Sequence, residues 1–382
     1  MIANMNQLVN TSLPGMGGTS LFDLGYTDAG LDDGFQLCNA TPTTLANPYR
    51  FHAPDGSINI DTSKFPDMKA MVDHGHALGL TVGWYLCNCI CQENSIYFPP
   101  GASYLPGGFI IAEMAQFNAF GFDNLKVDGC AEQVTGSSYG RVALHAPYHL
   151  NFMKHGSSIE NCFNGGGPYE GFNPGSLGFY PETMFRASGD VVETWTDIFR
   201  EINGLLFNAI YNISRPGLWA YGDMLVTGND LYNTGAAFPH TESRTQFGAY
   251  CILSSPLVLG TNLLDDAALK RMLPIVTNTD AITINQVYFG FSGGNYSTNG
   301  DALFLYKPLS WTNSTVAVMV INTGTGVLSG SFVFADIPYF FATSSVAVRD
   351  VWAQQDLGAF STSYPFSGLA SHDTVFLRLL KM

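Results

Sequence analysis

The chain has 382 residues, too many for one ordinary core and enough for a barrel of about 250 residues with a second domain of about 100. Apolar residues make up 46% and charged residues 12%, so a large core is readily buried. The net charge of −15 and a pI near 4.7 argue against nucleic acid or an anionic membrane as partner, since both demand a basic surface, and no apolar run approaches the roughly 18 residues of a membrane span.

Residues 1–10 space Ile2, Met5, Leu8 and Val9 for a helix. Residues 25–35, GYTDAGLDDGF, then set Asp32 and Asp33 side by side after a short apolar element. Adjacent carboxylates repel unless donors such as sugar hydroxyls meet them; taken alone, an Asp-Asp-Gly turn accounts for them equally well. A helical period runs through Phe65, Met68, Met71, Val72 and Ala77 over residues 65–78, and 80–86, LTVGWYL, follow as a continuous apolar strand.

Residues 107–120 give the next helical stretch and 122–130, FDNLKVDGC, the next strand, which delivers Lys126 and then Asp128 to its C-terminal end. A parallel barrel strand presents a reactive side chain in this way, which makes Asp128 a candidate nucleophile; a buried aspartate in a strand-end turn is the plainer alternative. Lys126 stands two residues before Asp128, so on a strand both face one side, and its charge favours an ionised carboxylate. A helix at 141–154 and a strand at 158–162 come next. His145, His149 and His155, spread along that helix and loop, read as surface or core histidines.

In residues 185–190, FRASGD, Arg186 and Asp190 flank a small-residue bend, and an amphipathic helix follows through Trp195, Phe199, Ile202, Leu205, Leu206 and Ile210. Residues 215–225, RPGLWAYGDML, read as a strand whose exit carries Asp223. A helix at 245–253, a strand at 256–260 and a last helix at 265–273 complete the series. Strands alternating with helices of this size imply a parallel sheet, and their number favours a (β/α)8 barrel of the TIM type. Beyond about residue 285 the texture changes to alternating strands such as ALFLYKP, VAVMVINT and DTVFLRLL, an antiparallel β domain. The expected division is therefore a barrel over 1–285 and a β-sandwich over 286–382.

Seven cysteines and five N-x-S/T sequons, at Asn10, Asn39, Asn212, Asn295 and Asn313, point to an oxidising, glycosylating route, and the odd cysteine count leaves at least one thiol unpaired. No charged and then apolar leader opens the chain. Cys87, Cys89 and Cys91 alternate at period two, so an extended strand would gather their sulfurs on one face as in a metal site. No fourth ligand follows at metal spacing, and neither metal nor cofactor is expected.

Together these pieces resemble glycoside hydrolase family 27, the α-galactosidases and α-N-acetylgalactosaminidases, from residue 24 to the end. LKVDGC is similar to the family's K-x-D-G/N-C, which makes Asp128 the nucleophile and Lys126 a sugar contact. FRASGD resembles R-x-x-x-D, implying Asp190 as acid/base and Arg186 as substrate-binding. LDDGF resembles LDDCW, whose aspartates hold galactose hydroxyls, here Asp32 and Asp33; GWYL supplies the sugar-contacting Tyr85. PGLWAYGDML resembles PGxWNDPDML, in which Trp219, Asp223, Met224 and Leu225 carry over while Ala220, Tyr221 and Gly222 depart. Retaining hydrolysis needs two carboxyls about 5 to 5.5 Å apart, one ionised and one protonated.

The resemblance also implies a disulfide from Cys91 or Cys89 to Cys130. It leaves Cys38 without an obvious mate, because Gly34 stands where the LDDCW cysteine would be, and Cys162 without its usual partner. The family's opening G-W-N-S-W strand has no counterpart, so the expected barrel lacks its first strand and the N-terminus is expected to be incomplete. The implied protein is a secreted or lysosomal/vacuolar retaining α-galactosidase acting on terminal α-D-galactosides, with a homodimer as a candidate assembly. Alternative readings are α-N-acetylgalactosaminidase or β-L-arabinopyranosidase specificity, favoured if FNGG after Cys162 leaves room at C2 or if the lost contacts fall at C6, or an inactive galactose-binding chain.

Overall fold

The computed structural model describes residues 1–38, 52–53, 57–87, 108–128, 159–162, 183–230, 237–342 and 345–382. These fall into two compact units, one of Met1–Val9 and Thr27–Arg186, the other of Asn10–Tyr26 and Ala187–Met382.

In the first unit, helix α1 (Ile2–Leu8) precedes a parallel sheet with strands in the order β1 (Asp28–Gly30), β2 (Thr81–Cys87), β3 (Asn124–Asp128), β4 (Ile159–Cys162) and β5 (Met184–Arg186). Residues 1–24 hold α1 and a 3-10 turn at Phe22–Leu24, and no strand. Between β1 and β2 runs α2 (Met68–Ala77), started by Asp67, whose carboxylate accepts the Ala70 amide at 2.9 Å. Its apolar stripe Met68, Met71 and Val72 is buried, as the helical spacing predicts.

Helix α3 (Gly108–Phe120) leads into β3. The alternation along β2 and β3 sorts the side chains. Trp84, Leu86, Leu125 and Val127 are all at most 2% exposed, and Trp84 stacks on Phe122 with ring centroids 5.1 Å apart and on Phe117 at 6.3 Å. Phe35 closes this aromatic cluster at 5.6 Å. The opposite face of the same strands carries Tyr85, Lys126 and Asp128, so the core fixes which side chains project the other way.

The second unit contains α4 (Trp195–Ile210), bounded as its period predicts and capped by Thr194, whose hydroxyl accepts the Asp197 amide. A side chain at Gly204 would put its Cβ 2.5 Å from the Ala187 carbonyl, so glycine lets α4 lie directly against the bend that carries Asp190. The expected strand at 215–225 is shorter, β6 being only Trp219–Tyr221. Arg215 and Leu218 close a tight antiparallel turn around the positive-φ Gly217, which uses up the first residues. The expected strand at 256–260 contracts to a single parallel bridge between Leu225 and Leu259.

Helix α5 (His240–Ile252) starts five residues before the predicted position. Helix α6 (Asp266–Val276) is not the last: α7 (Thr279–Gln286) follows, nucleated by the Asn278 side chain accepting the Ala281 amide at 3.0 Å. Its period is obscured by threonines and by a length of two turns. An antiparallel sheet in the order β12-β11-β14-β9-β8-β7 then packs on the hairpin-like pair β10-β13, with β7 at Gly294–Asn299, β8 at Ala302–Pro308, β9 at Thr315–Asn322, β10 at Leu328–Val333, β11 at Val346–Asp350, β12 at Gln355–Phe360, β13 at Ser363–Leu369 and β14 at Thr374–Lys381. Phe304, Val318, Leu377, Phe332 and Phe366 share the core between the sheets. His372 fastens this sandwich to the helices of its own unit, stacking on Trp195 at 4.1 Å and meeting the Glu242 carboxylate at 2.6 Å. No helix among the described residues is long and apolar enough to cross a membrane.

Candidate active site

The first unit gathers four of the sequence-predicted residues at the C-terminal end of its strands. Tyr85 on β2 is the register partner of Lys126 on β3, so the two side chains stand on one face. The Tyr85 hydroxyl donates to Asp128 Oδ2 at 2.5 Å, and the Lys126 ammonium lies 5.5 Å from the Tyr85 ring centroid. From the loop after β1, Asp32 reaches Lys126 Nζ with Oδ2 at 2.7 Å while its Oδ1 accepts the Asp33 amide at 2.7 Å. Each carboxylate oxygen has two lone pairs, and the Asp32 side chain is 49% exposed, so both oxygens retain acceptor capacity toward solvent. Asp33 sits in the turn itself, with Oδ1 accepting the Gly34 amide at 2.6 Å.

Burial alone would push the Lys126 ammonium down, but the charges of Glu160 and Asp32 and the Asp32 hydrogen bond oppose it, and the net direction is upward. Lys126 is therefore a fixed positive charge at any physiological pH. Arg186, 1% exposed at the end of β5, donates from Nη1 to Cys162 Sγ at 3.2 Å. Cys162 is a free, buried thiol whose ionisation burial pushes far up, so it meets the guanidinium as a neutral sulfur acceptor. The free thiol agrees with the expectation that its usual partner is missing. Cys38 departs from expectation, because it is disulfide-bonded rather than left without a mate. Gly34 removes the neighbouring cysteine of the motif, and bonding over a longer sequence distance carries no local signal. The candidates Cys89, Cys91 and Cys130 lie outside the described residues, as do His145, His149 and His155 and the FNGG segment.

The second unit brings Asp190 and Asp223 into one local arrangement. Asp223, 3% exposed, accepts the Val191 amide at 2.8 Å through Oδ2 and the Met224 amide at 2.8 Å through Oδ1. It thus grips the backbone next to Asp190, whose own side chain is exposed. Met224 is half-buried beside Gly260. Arg200 was not anticipated. Its Nη2 donates to the Asp190 carbonyl at 2.7 Å and its Nε to Ser188 Oγ at 3.2 Å, while Nη1 pairs with Asp197 at 2.5 Å. A basic residue one turn and a half into α4 gives no sequence signal of reaching back to the preceding bend. At Gly222, where the resemblance expects proline, a Cβ would lie 2.3 Å from the Tyr250 hydroxyl, so the departure from the motif is matched by an aromatic ring in that space.

The chain matches the family described as "Alpha galactosidase A" over residues 44–287 and the "Alpha galactosidase C-terminal beta sandwich domain" over 299–379. It is 26% identical over 383 aligned positions to a "Probable alpha-galactosidase" of Dictyostelium discoideum, covering 98% of this chain and 88% of the relative. To a "Probable alpha-galactosidase D" of Aspergillus fumigatus it is 25% identical, covering 94% of this chain but only 52% of the relative, so the chain spans about half the length of relatives of that type. The crystal structure of alpha-galactosidase I from Mortierella vinacea superposes with a TM-score of 0.75 at 22% identity, covering 100% of this chain and 92% of that one. The fold is accordingly a TIM-type (β/α) barrel followed by an antiparallel β-sandwich.

Proposed function

The chain belongs to the alpha-galactosidase A family, glycoside hydrolase family 27, and from that premise we propose that it is a retaining exo-glycosidase that removes terminal α-D-galactosyl residues. The observation that carries the reading is the arrangement at the mouth of β3. Asp128 takes the Tyr85 hydroxyl at 2.5 Å two residues beyond Lys126, which is itself anchored to Asp32 at 2.7 Å. Asp128 attacks the anomeric carbon, and the bond from that carbon to the aglycone oxygen breaks as Asp190 gives up its proton to the leaving oxygen. Water then returns a proton to Asp190 and its oxygen to the anomeric carbon, freeing Asp128. Two inversions at one carbon leave the configuration retained.

Lys126 and Asp32 offer a donor and an acceptor to vicinal hydroxyls, the complementarity a neutral sugar presents. Tyr85, Arg186, Asp223, Asp33 and Met224 are proposed as further sugar contacts, the roles that the family resemblance gives them. Hydrolysis of p-nitrophenyl α-D-galactopyranoside followed by proton NMR tests the reading: α-galactose is expected as the first-formed anomer. Asp128→Asn should abolish turnover and leave galactose binding largely intact. Absence of hydrolysis, or β-galactose as the first product, overturns it.

A further inference from the structure

We propose that Glu160, a carboxylate on β4 that none of the motifs assigns, is a positioning residue that holds the Lys126 ammonium for the sugar; the proposal rests on the functional reading above. Lys126 and Glu160 are register partners on adjacent parallel strands, as Tyr85 and Lys126 are on the other side. Register partners in a parallel sheet stand about 4.8 Å apart with side chains on the same face, so one row across the sheet reads Tyr85, Lys126, Glu160. The next row up, two residues on, pairs Asp128 with Cys162. Glu160 therefore sits beneath the reacting level, at the base of the lysine.

A strand-interior carboxylate that is only partly exposed costs free energy unless a charge or donors meet it, and a methionine or glutamine would fill the same volume without that cost. Lys126 is the cation that the register puts beside it. The coupling is also felt at the lysine, where Glu160 is the first of the charges that raise the ammonium. The groups around Lys126 are Asp32, Asp128, Tyr85, Glu160 and Cys162. Of its carboxylate neighbours, two change during the proposed reaction. Asp32 must share its lone pairs with sugar hydroxyls, and Asp128 loses its charge when it becomes a glycosyl ester. Glu160, set beneath the reacting level, takes no part in either step, so its carboxylate is a constant neighbour that keeps Lys126 from swinging toward Asp128 between the two halves of the reaction.

A double-mutant cycle of Glu160→Gln and Lys126→Met in the full chain tests this by two readouts. In galactose titration calorimetry and in kcat/KM, Glu160→Gln is expected to cost about 10- to 100-fold in the parent, the usual range for a residue that orients another. In the Lys126→Met background it should cost less than about twofold. Equal losses in both backgrounds, or none in the parent, overturn the proposal. The same four chains are compared by thermal unfolding, where the two changes should be strongly non-additive. If the parent neither hydrolyses α-galactosides nor binds galactose, the functional reading falls. The unfolding cycle still decides on the pair, because coupling sustains Glu160 as the residue that holds Lys126 and additivity refutes it.

Discussion

Replacing Tyr85 by Phe deletes one hydroxyl and leaves everything else in place. The ring is 3% exposed, still lies under Lys126 at 5.5 Å, and keeps its packing; what goes is the 2.5 Å donor on Asp128 Oδ2. A hydrogen bond to a charged group contributes roughly 1.5 to 3 kcal/mol, which at about 1.4 kcal/mol per decade bounds the effect at about 10- to 150-fold. Two consequences oppose each other. In the proposed reaction charge leaves Asp128 as the glycosyl bond forms, so the hydroxyl stabilises the resting carboxylate more than the transition state, and losing it leaves a more reactive carboxylate. Losing it also releases the carboxylate from a defined rotation, and a displacement of about 1 Å in a reacting atom costs on the order of 100-fold. The lost orientation outweighs the gained reactivity, so the net expectation is a fall of about tenfold in kcat/KM, expressed mainly in kcat. Steady-state kinetics on p-nitrophenyl α-D-galactopyranoside, with thermal unfolding to verify the fold, measure it. A Tyr85→Phe enzyme as fast as the parent, or faster, would refute this reasoning by showing that the bond serves the ground state alone.

Lys307, fully buried on β8, donates to the Ile284 and Asn285 carbonyls at 2.6 and 3.1 Å at the end of α7, and burial pushes its pKa down to about 7. Its folded pKa lies below the unfolded value of about 10.4, so between these limits the unfolded chain holds a proton that the folded chain has lost, and stability rises with pH. Denaturant titrations at pH 7 and 8.5 should show the parent gaining stability relative to Lys307→Met across that interval, and a parallel pair of curves would contradict the assignment. Gly222→Ala should lower stability by about 1 to 3 kcal/mol, because its Cβ meets Tyr250 at 2.3 Å in a closed site, and an unchanged melting temperature would show that the ring moves freely aside.

The strands and helices that the sequence makes legible are those whose pattern is closed within the element. On β2 and β3 the alternation of Trp84, Leu86, Leu125 and Val127 with Tyr85, Lys126 and Asp128 decides facing before any neighbour is known, because a period of two leaves no other choice once the apolar set is buried. Helix α4 is legible for the same reason at period 3.6, and its Thr194 cap marks where it starts. The elements that the sequence misplaces depend on something outside their own residues. β6 is cut short by the turn at Arg215 and Leu218, and the expected strand at 256–260 survives only as the Leu225 to Leu259 bridge, since each needs a partner strand to extend. Helix α7 escapes notice because its buried apolar residues are only Ala281 and Ile284, too few to show a period in two turns, while its ends are held by the Asn278 cap and by Lys307 on its terminal carbonyls.

The same distinction separates the residues of the candidate site. Asp128 and Lys126 stand out because their spacing carries their geometry, whereas Arg200 and Glu160 do not, because what they touch is brought to them by the fold. Arg200 reaches the Asp190 carbonyl across ten residues, and Glu160 meets Lys126 only through the pairing of β3 with β4. Arg186 shows how a departure from a motif is absorbed. With Cys162 a free thiol rather than half of a disulfide, its sulfur is left as a polarizable acceptor 3.2 Å from the guanidinium, so the atom that a disulfide would have taken up serves instead to orient Arg186 at the end of β5.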